Sequence, residues 1–159
     1  MNKIFEIKNF YTIIFIISLL SLLIALYIEF FLGYKPCKLC VYQRIPYLIS
    51  IFLTFLGVIY SKNLIWLYAL LLTFFLSFLL SGYHFGIEQE IFKEFSGCTG
   101  NSLNVTDKDE LLKLLNSEIN SCKNVDFRIF GFSLATINFL LSFVIFILIL
   151  KVISNEKNK

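Results

Sequence analysis

Long apolar runs alternate with polar segments along this chain of 159 residues. The runs cover approximately residues 10–32, 42–60, 64–83 and 129–153. At a rise of about 1.5 Å per residue, a helix of this length crosses a hydrocarbon core roughly 30 Å thick. Because lipid offers no hydrogen-bond partner to the backbone, we expect each run to be a helix. The pattern predicts an all-α membrane protein, with residues 1–159 forming a single four-transmembrane-helix bundle.

The composition agrees with a lipid environment. Hydrophobic residues make up 58% of the chain and charged residues only 16%, whereas soluble domains usually carry about 25% charged residues. We therefore expect no sizeable soluble domain. The net charge of +3 is small and unevenly distributed, so it predicts topology and not nucleic-acid binding.

Basic residues are concentrated at the two termini and in the link at 61–63. These segments contain only two acidic residues against six lysines, namely Lys3, Lys8, Lys62, Lys151, Lys157 and Lys159. Short flanks rich in lysine stay on the cytoplasmic side. We therefore expect cytoplasmic termini and two outer loops, at 33–41 and 84–128.

The longer outer loop has a helix pattern of its own. Thr106 and the acidic residues after it are typical of a helix start, and leucines at 111–115 with Ile119 share one face. The pattern predicts a short amphipathic helix at the membrane surface. The helix either packs on the bundle or docks a partner protein, and the sequence does not decide between these roles.

All four cysteines fall in the predicted outer loops, where an oxidising compartment lets disulfides persist. Cys37 and Cys40 form a C-x-x-C, a pattern typical of a redox-active disulfide or of half a zinc site. Cys98 and Cys122 have 23 residues between them, too many for the second half of a compact zinc site. We therefore expect two separate disulfides. The bridge in the long loop is either catalytic or a structural staple that contributes roughly 3 kcal/mol.

Arg44 lies four residues after Cys40. On a helix it would share a face with Cys40 and could stabilise a thiolate, although an arginine at this depth also commonly reaches lipid headgroups. If Pro46 lies in the first turn, the helix starts near Tyr42 or Gln43, and the C-x-x-C lies just before it.

Three further ionisable residues lie near the outer ends of the spans. His84 is either a proton relay or an ordinary interfacial histidine. Glu88 is either a loop capping residue or a proton acceptor. We expect Glu29 to be solvated.

Several motifs together resemble the DsbB family of disulfide bond formation proteins. They are Cys37-x-Leu39-Cys40-x-x-Gln43-Arg44, Tyr83-His84-x-Gly86-x-Glu88, Cys98, Cys122 and Asp126-Phe127-Arg128-x-x-Gly131-x-Ser133-x-Ala135-x-x-Asn138. The resemblance implies an enzyme of the bacterial inner membrane with periplasmic cysteine loops. It would reoxidise a thioredoxin-fold partner similar to DsbA and pass the electrons to ubiquinone or menaquinone, a relay that keeps the bacterial periplasm oxidising.

The same resemblance implies a role for each site residue. Cys98 would form the mixed disulfide with the partner, and Cys122 would be its resolving thiol. Cys37 would exchange with the loop pair. Cys40 would face the quinone beside Arg44.

Three other classes of protein compete with this interpretation. Proteins similar to vitamin K epoxide reductase also combine four helices with a C-x-x-C, but their loop cysteines precede the C-x-x-C, the reverse of the order here. A non-enzymatic membrane protein with structural disulfides would also fit the cysteines. A metal site would require all four thiolates to converge, and we expect no metal.

Overall fold

The computed structural model describes residues 2–61, 63–93, 122, 128–129 and 131–157. Five helices and one short antiparallel hairpin make up this part of the chain. They are α1 (Asn2–Phe30), α2 (Lys38–Tyr42), α3 (Arg44–Ile59), α4 (Ile65–Glu88), β1 (Arg128–Ile129), β2 (Phe132–Ser133) and α5 (Leu134–Lys157). The amphipathic helix expected after Thr106 lies outside the described residues.

Four segments are long and apolar enough to cross a membrane. They are Ile7–Phe30, Lys38–Ile59, Ile65–Glu88 and Leu134–Lys157. This confirms the predicted all-α bundle of four membrane-spanning helices. The second segment combines α2 and α3, which meet at Gln43.

The helices pack in chain order, with α1 against α3, α3 against α4, and α4 against α5. The outer surface of the bundle is apolar: Leu48, Phe52 and Leu72 are each more than half exposed. Its interior contains small hydroxyl side chains that are fully buried, namely Ser18, Ser50, Thr54, Ser77, Ser81 and Ser142. Two of their hydrogen bonds join different helices, Ser50 to Ser18 and Ser77 to Ser142. Small polar residues at the helix contacts and apolar ones outside suit a bundle that lipid surrounds.

The C-x-x-C lies just before α3, the helix that carries Pro46, as expected, but it also belongs to a short helix of its own, α2. Cys37 caps α2, because its sulfur accepts a hydrogen bond of 3.3 Å from the backbone N–H of Cys40. Pro46 does lie in the first turn of α3, where its missing N–H leaves no hydrogen bond unmade. The chain therefore enters this membrane segment through two consecutive helices.

Helix α4 continues to Glu88, five residues beyond the apolar run that ends at Tyr83. His84 and Glu88 are thus helical, and the expectation that a polar loop starts at His84 is wrong. Both side chains have partners inside the protein, so polarity at these positions does not end the helix.

Candidate functional site

A cavity of about 290 Å³ opens at the end of the bundle that carries the C-x-x-C. The C-terminal parts of α1 and α4, the N-terminal parts of α3 and α5, and all of α2 lie around this end. Apolar side chains of α1 and α5 line the cavity, among them Leu22, Ala25, Ile137 and Leu141. The polar and sulfur-containing side chains of the lining are Ser21, Glu29, Tyr34, Lys35, Cys37, Cys40, Gln43, Arg44, Tyr47, His84, Glu88, Cys122 and Asn138.

Three cysteines meet at this cavity, with Cys37 between the other two. The sulfur atoms of Cys37 and Cys40 are 3.0 Å apart, and both residues are free thiols. The Cys37 sulfur is 3.6 Å from Nε2 of His84. The Cys122 sulfur lies within 4.8 Å of both the Cys37 sulfur and a ring nitrogen of His84. Cys122 is disulfide-bonded, and because Cys37 and Cys40 are free, neither is its partner.

The surroundings of Cys37 favour its thiolate form. The hydrogen bond between the two thiols of the C-x-x-C has the largest effect, and together with His84 and the Cys40 backbone N–H it lowers the pKa of Cys37 from 9.0 to about 4. Burial acts in the opposite direction, since only 8% of the residue is exposed, but the hydrogen bonds outweigh it. These contacts favour the thiolate of Cys37, and a stabilised thiolate is a good leaving group.

A chain of side-chain hydrogen bonds connects His84 to the centre of the bundle. His84 is only 2% exposed, and its Nδ1 is 2.9 Å from Nε2 of Gln43. Nδ2 of Asn138 donates to Oε1 of Gln43 over 2.9 Å. Oδ1 of Asn138 accepts from the hydroxyls of Tyr47 and Ser142. The imidazole beside Cys37 is thus held by groups from α3 and α5, and it is not an ordinary interfacial histidine.

Glu88 lies near Nε2 of His84, the ring nitrogen that faces Cys37 and not Gln43. Its Oε1 is 3.8 Å from Nε2 of His84, and its Oε2 accepts a hydrogen bond of 2.5 Å from the Ser133 hydroxyl. The same Ser133 oxygen accepts from the backbone N–H of Thr136 over 3.1 Å and so caps the start of α5. Glu88 therefore joins the end of α4 to the start of α5 and is not a loop residue.

Arg44 and Glu29 form an ion pair between α3 and α1, and both line the cavity. Glu29 is thus paired, contrary to the expectation that it is solvated, because the distant Arg44 supplies its partner. The Arg44 side chain is only 19% exposed. One N–H group of Arg44 is used for Glu29, and other N–H groups remain. These could donate a hydrogen bond to an oxygen atom of a ligand in the cavity.

The structure brings together four of the five predicted site residues: Cys37, Cys40, Arg44 and Cys122. Cys98 lies outside the described residues. Gln43 and Asn138 entered the sequence interpretation without a role of their own, and Tyr47 did not enter it. A polar group inside a membrane helix costs free energy unless it is hydrogen-bonded. Amide side chains within the apolar runs were therefore the sequence signal that could have pointed to Gln43 and Asn138.

The sulfur and imidazole atoms of Cys37, His84 and Cys122 are close enough to surround a metal ion. Zinc is bound by cysteine thiolates, however, and Cys122 is in a disulfide. The arrangement described here thus suits exchange between sulfur atoms. The absence of a metal remains a prediction, which the zinc content of the purified protein would test.

Comparison with known proteins gives one family and one relative. A family model described as disulfide bond formation protein DsbB matches residues 7–152 and so reaches into all four membrane segments. A relative in Rickettsia prowazekii (strain Madrid E), the uncharacterized protein RP370, is 31% identical over 137 residues. That similarity covers 82% of this chain and 78% of the relative.

Proposed function

The chain belongs to the DsbB family of disulfide bond formation proteins, and from this premise we propose that it oxidises the dithiol of a periplasmic thioredoxin-fold partner, similar to DsbA, and transfers the electrons to a membrane quinone. Family membership itself makes it a membrane thiol oxidoreductase of disulfide bond formation. The partner, the quinone and the role of each residue are the proposed part.

The observation that carries the proposal is the position of the Cys37 sulfur. It is 3.0 Å from the Cys40 sulfur and within 4.8 Å of the disulfide-bonded sulfur of Cys122. A thiol can exchange with a disulfide only where its sulfur can reach one of the two bonded atoms. This placement supports disulfide transfer between the long loop and the C-x-x-C.

We propose the following sequence of exchanges. A partner thiolate attacks Cys98 in the Cys98–Cys122 disulfide and releases Cys122 as a thiolate. Cys122 then attacks the Cys37 sulfur of the Cys37–Cys40 disulfide, which forms a Cys122–Cys37 bond and releases Cys40. The second partner thiolate attacks the partner's own sulfur in the mixed disulfide, so the partner leaves oxidised and Cys98 becomes free.

The lowered pKa of Cys37 assists the step that re-forms the loop disulfide. Cys98 attacks Cys122 in the bond between Cys122 and Cys37, re-forms the loop disulfide and expels Cys37. Because this leaving group has a pKa of about 4, its departure is fast. This step would leave Cys122 in a disulfide and the C-x-x-C reduced, the same arrangement of bonded and free cysteines as in the structure.

The cavity fits a quinone by its shape and its donors. Its apolar lining from α1 and α5 suits an isoprenoid chain, and Cys40, Arg44 and His84 also line it. A bound quinone would supply an acceptor for two electrons and two protons. Arg44 would orient it through a donated hydrogen bond, and Cys40 would lie nearest to it. The cavity volume of about 290 Å³ is at the lower end of the range for small-molecule sites, roughly 300–1,000 Å³.

We also propose that this end of the bundle faces the periplasm of a bacterial inner membrane. The lysine-rich termini at the other end support the orientation, since lysine-rich flanks stay in the cytoplasm. An impermeant thiol reagent applied to intact spheroplasts should then label the reduced cysteines without lysis.

The test is turnover by the purified protein in detergent. The wild-type protein should oxidise a reduced thioredoxin-fold protein in a reaction that depends on added quinone. Cys37→Ser and Cys40→Ser should each abolish turnover, because the only route to the quinone passes through this pair. Ser81→Ala, a buried change at a hydroxyl that bonds to carbonyls of its own helix, should retain it. Normal turnover in either cysteine variant would contradict the mechanism.

A further inference from the structure

A chain of hydrogen bonds runs from Asn138 through Gln43 to His84, and the orientation of the Asn138 carboxamide determines which groups donate in it. Oδ1 of Asn138 accepts from two hydroxyls, Tyr47 and, over 3.3 Å, Ser142. Its Nδ2 faces Gln43 and donates to Oε1 of Gln43 over 2.9 Å. A carboxamide has one oxygen and one NH₂ group, so Gln43 presents its Nε2 to the imidazole.

The orientation of Gln43 decides which ring nitrogen of His84 carries the proton. Nε2 of Gln43 is 2.9 Å from Nδ1 of His84 and can only donate. Nδ1 must then accept, so it carries no proton. A neutral imidazole has one N–H, and here it is on Nε2, the atom 3.6 Å from the Cys37 sulfur.

We infer that Gln43, oriented by Asn138, is a positioning residue that fixes the Nε2–H tautomer of His84 and thereby makes His84 a hydrogen-bond donor to the Cys37 sulfur. Gln43 is 6% exposed, so water does not compete freely for its amide. The arrangement crosses three helices and depends on two amides that are 95 positions apart in the chain.

The charged and titratable groups around the ring favour the same tautomer. On the Nε2 side are the Cys37 sulfur from the start of α2 and, at 3.8 Å, the Glu88 carboxylate from α4. The Cys122 sulfur is also nearby but does not titrate, because it is in a disulfide. The Nδ1 side has the uncharged amide of Gln43. A hydrogen on Nδ1 would face the N–H of Gln43, so the amide disfavours hydrogen at that ring nitrogen.

The consequence for the reaction rests on the proposed function. Cys37 leaves as a thiolate when the loop disulfide re-forms, and a donor at Nε2 stabilises that thiolate as it appears. The opposite tautomer would offer Cys37 a bare nitrogen, which could only accept. The two amides thus determine whether His84 assists the departure of Cys37.

His84 is the only histidine in the chain, which permits a direct test. In protein labelled with ¹⁵N-histidine, the ¹⁵N shifts of the two ring nitrogens report which one carries hydrogen. The wild-type protein, with its C-x-x-C reduced and its loop disulfide intact, should show a protonated Nε2 and a bare Nδ1 at neutral pH. A protonated Nδ1, alone or together with Nε2, would overturn the inference.

Two isosteric variants test the role of the amides. In Gln43→Glu the carboxylate can only accept, so Nδ1 of His84 should become protonated. In Asn138→Asp the new carboxylate can only accept, so it attracts the NH₂ group of Gln43. The Gln43 amide then presents its Oε1 to the ring, and Nδ1 of His84 should again become protonated, although the substitution is two hydrogen bonds away. The control Ser81→Ala, whose hydroxyl bonds only to its own helix, should keep the wild-type shifts. Wild-type shifts in both carboxylate variants would overturn the role of the amides.

A second readout follows the thiolate itself. The pH profile of Cys37 alkylation, mapped by mass spectrometry, should move up by about one to two units in Asn138→Asp, because one charge-assisted hydrogen bond to the thiolate is lost. An unchanged profile would exclude the assigned effect of Gln43 on Cys37. Neither readout needs a quinone or a partner protein, so their failure is distinguishable from failure of the proposed oxidation.

Discussion

At the scale of single residues, the position of Cys37 determines its chemistry. The sulfur accepts from the Cys40 backbone N–H as a helix cap and lies beside both the Cys40 thiol and His84. These contacts all favour the anion, and they lower its pKa to about 4 although the residue is buried. The reduced C-x-x-C therefore carries a negative charge at neutral pH.

This charge predicts how the reduction potential of the C-x-x-C depends on pH. Between about pH 5 and 8 Cys37 stays a thiolate, so reduction of the disulfide takes up one proton instead of two. The potential should then fall by about 30 mV per pH unit, against about 59 mV for a couple that takes up two protons. The measurement is redox titration of a Cys98→Ala, Cys122→Ala variant. A slope of about 59 mV in this range would show that Cys37 is protonated.

Arg44 yields a prediction that separates geometry from charge. Its planar guanidinium pairs with Glu29 and keeps further donors at a fixed angle to the cavity. Arg44→Lys retains the charge but loses this geometry. If one charge-assisted hydrogen bond of roughly 1.5–3 kcal/mol to the quinone is lost, the apparent KM for quinone should rise about 10-fold to 150-fold.

The control for Arg44→Lys is exchange with the partner. Single-turnover oxidation of the partner's thiols does not involve Arg44 and should stay near the wild-type rate. A wild-type KM and wild-type quinone turnover in this variant would leave Arg44 with only its ion pair to Glu29.

At the scale of the helices, Gly57 allows α1 and α3 to approach closely. A Cβ at this position would lie 2.5 Å from a ring carbon of Tyr11, whose side chain is fully buried and cannot easily move. Gly57→Ala should therefore destabilise the bundle by about 1–3 kcal/mol. The measurement is the free energy of unfolding in mixed micelles.

Gly82 is the matched control for Gly57. A Cβ at Gly82 would lie 3.0 Å from the ring of Phe139, which is partly exposed and can shift. Alanine also favours a helix over glycine by about 0.5–1 kcal/mol, so Gly82→Ala should be close to neutral. Equal stability of the two variants would contradict the close approach of α1 and α3.

At the scale of the whole molecule, the first and the last membrane helices both contribute to the cavity. Ala25 of α1 and Leu141 of α5 line it. Ala25→Phe should fill part of the volume that we assign to the quinone and raise the KM for quinone by about tenfold or more. Partner exchange and folding should change little.

The control for Ala25→Phe is Leu23→Phe. Leu23 is on the same helix, but its side chain is 52% exposed on the outer surface, where a larger apolar residue meets only lipid. Its kinetics should match those of the wild-type protein. If Ala25→Phe also retains a normal KM, the quinone lies elsewhere.

The sequence alone determined the features that are local or depend on composition. Helices in lipid must satisfy their own backbone, so four apolar runs of sufficient length are enough to predict the four membrane segments. The C-x-x-C spacing and the resemblance to the DsbB family were likewise present in the one-dimensional pattern, and the family is confirmed over residues 7–152.

Only the tertiary structure decided which polar groups meet. Polarity ended the predicted third span at Tyr83, but His84 and Glu88 are helical because Gln43 and Ser133 satisfy them from other elements. The sequence predicted a solvated Glu29, but in the folded bundle Glu29 pairs with Arg44. The direction of a hydrogen bond depends on the three-dimensional position of both partners, and neither spacing nor composition encodes that position. The tautomer of His84, and with it the form of Cys37 that His84 supports, is therefore a property of the folded bundle.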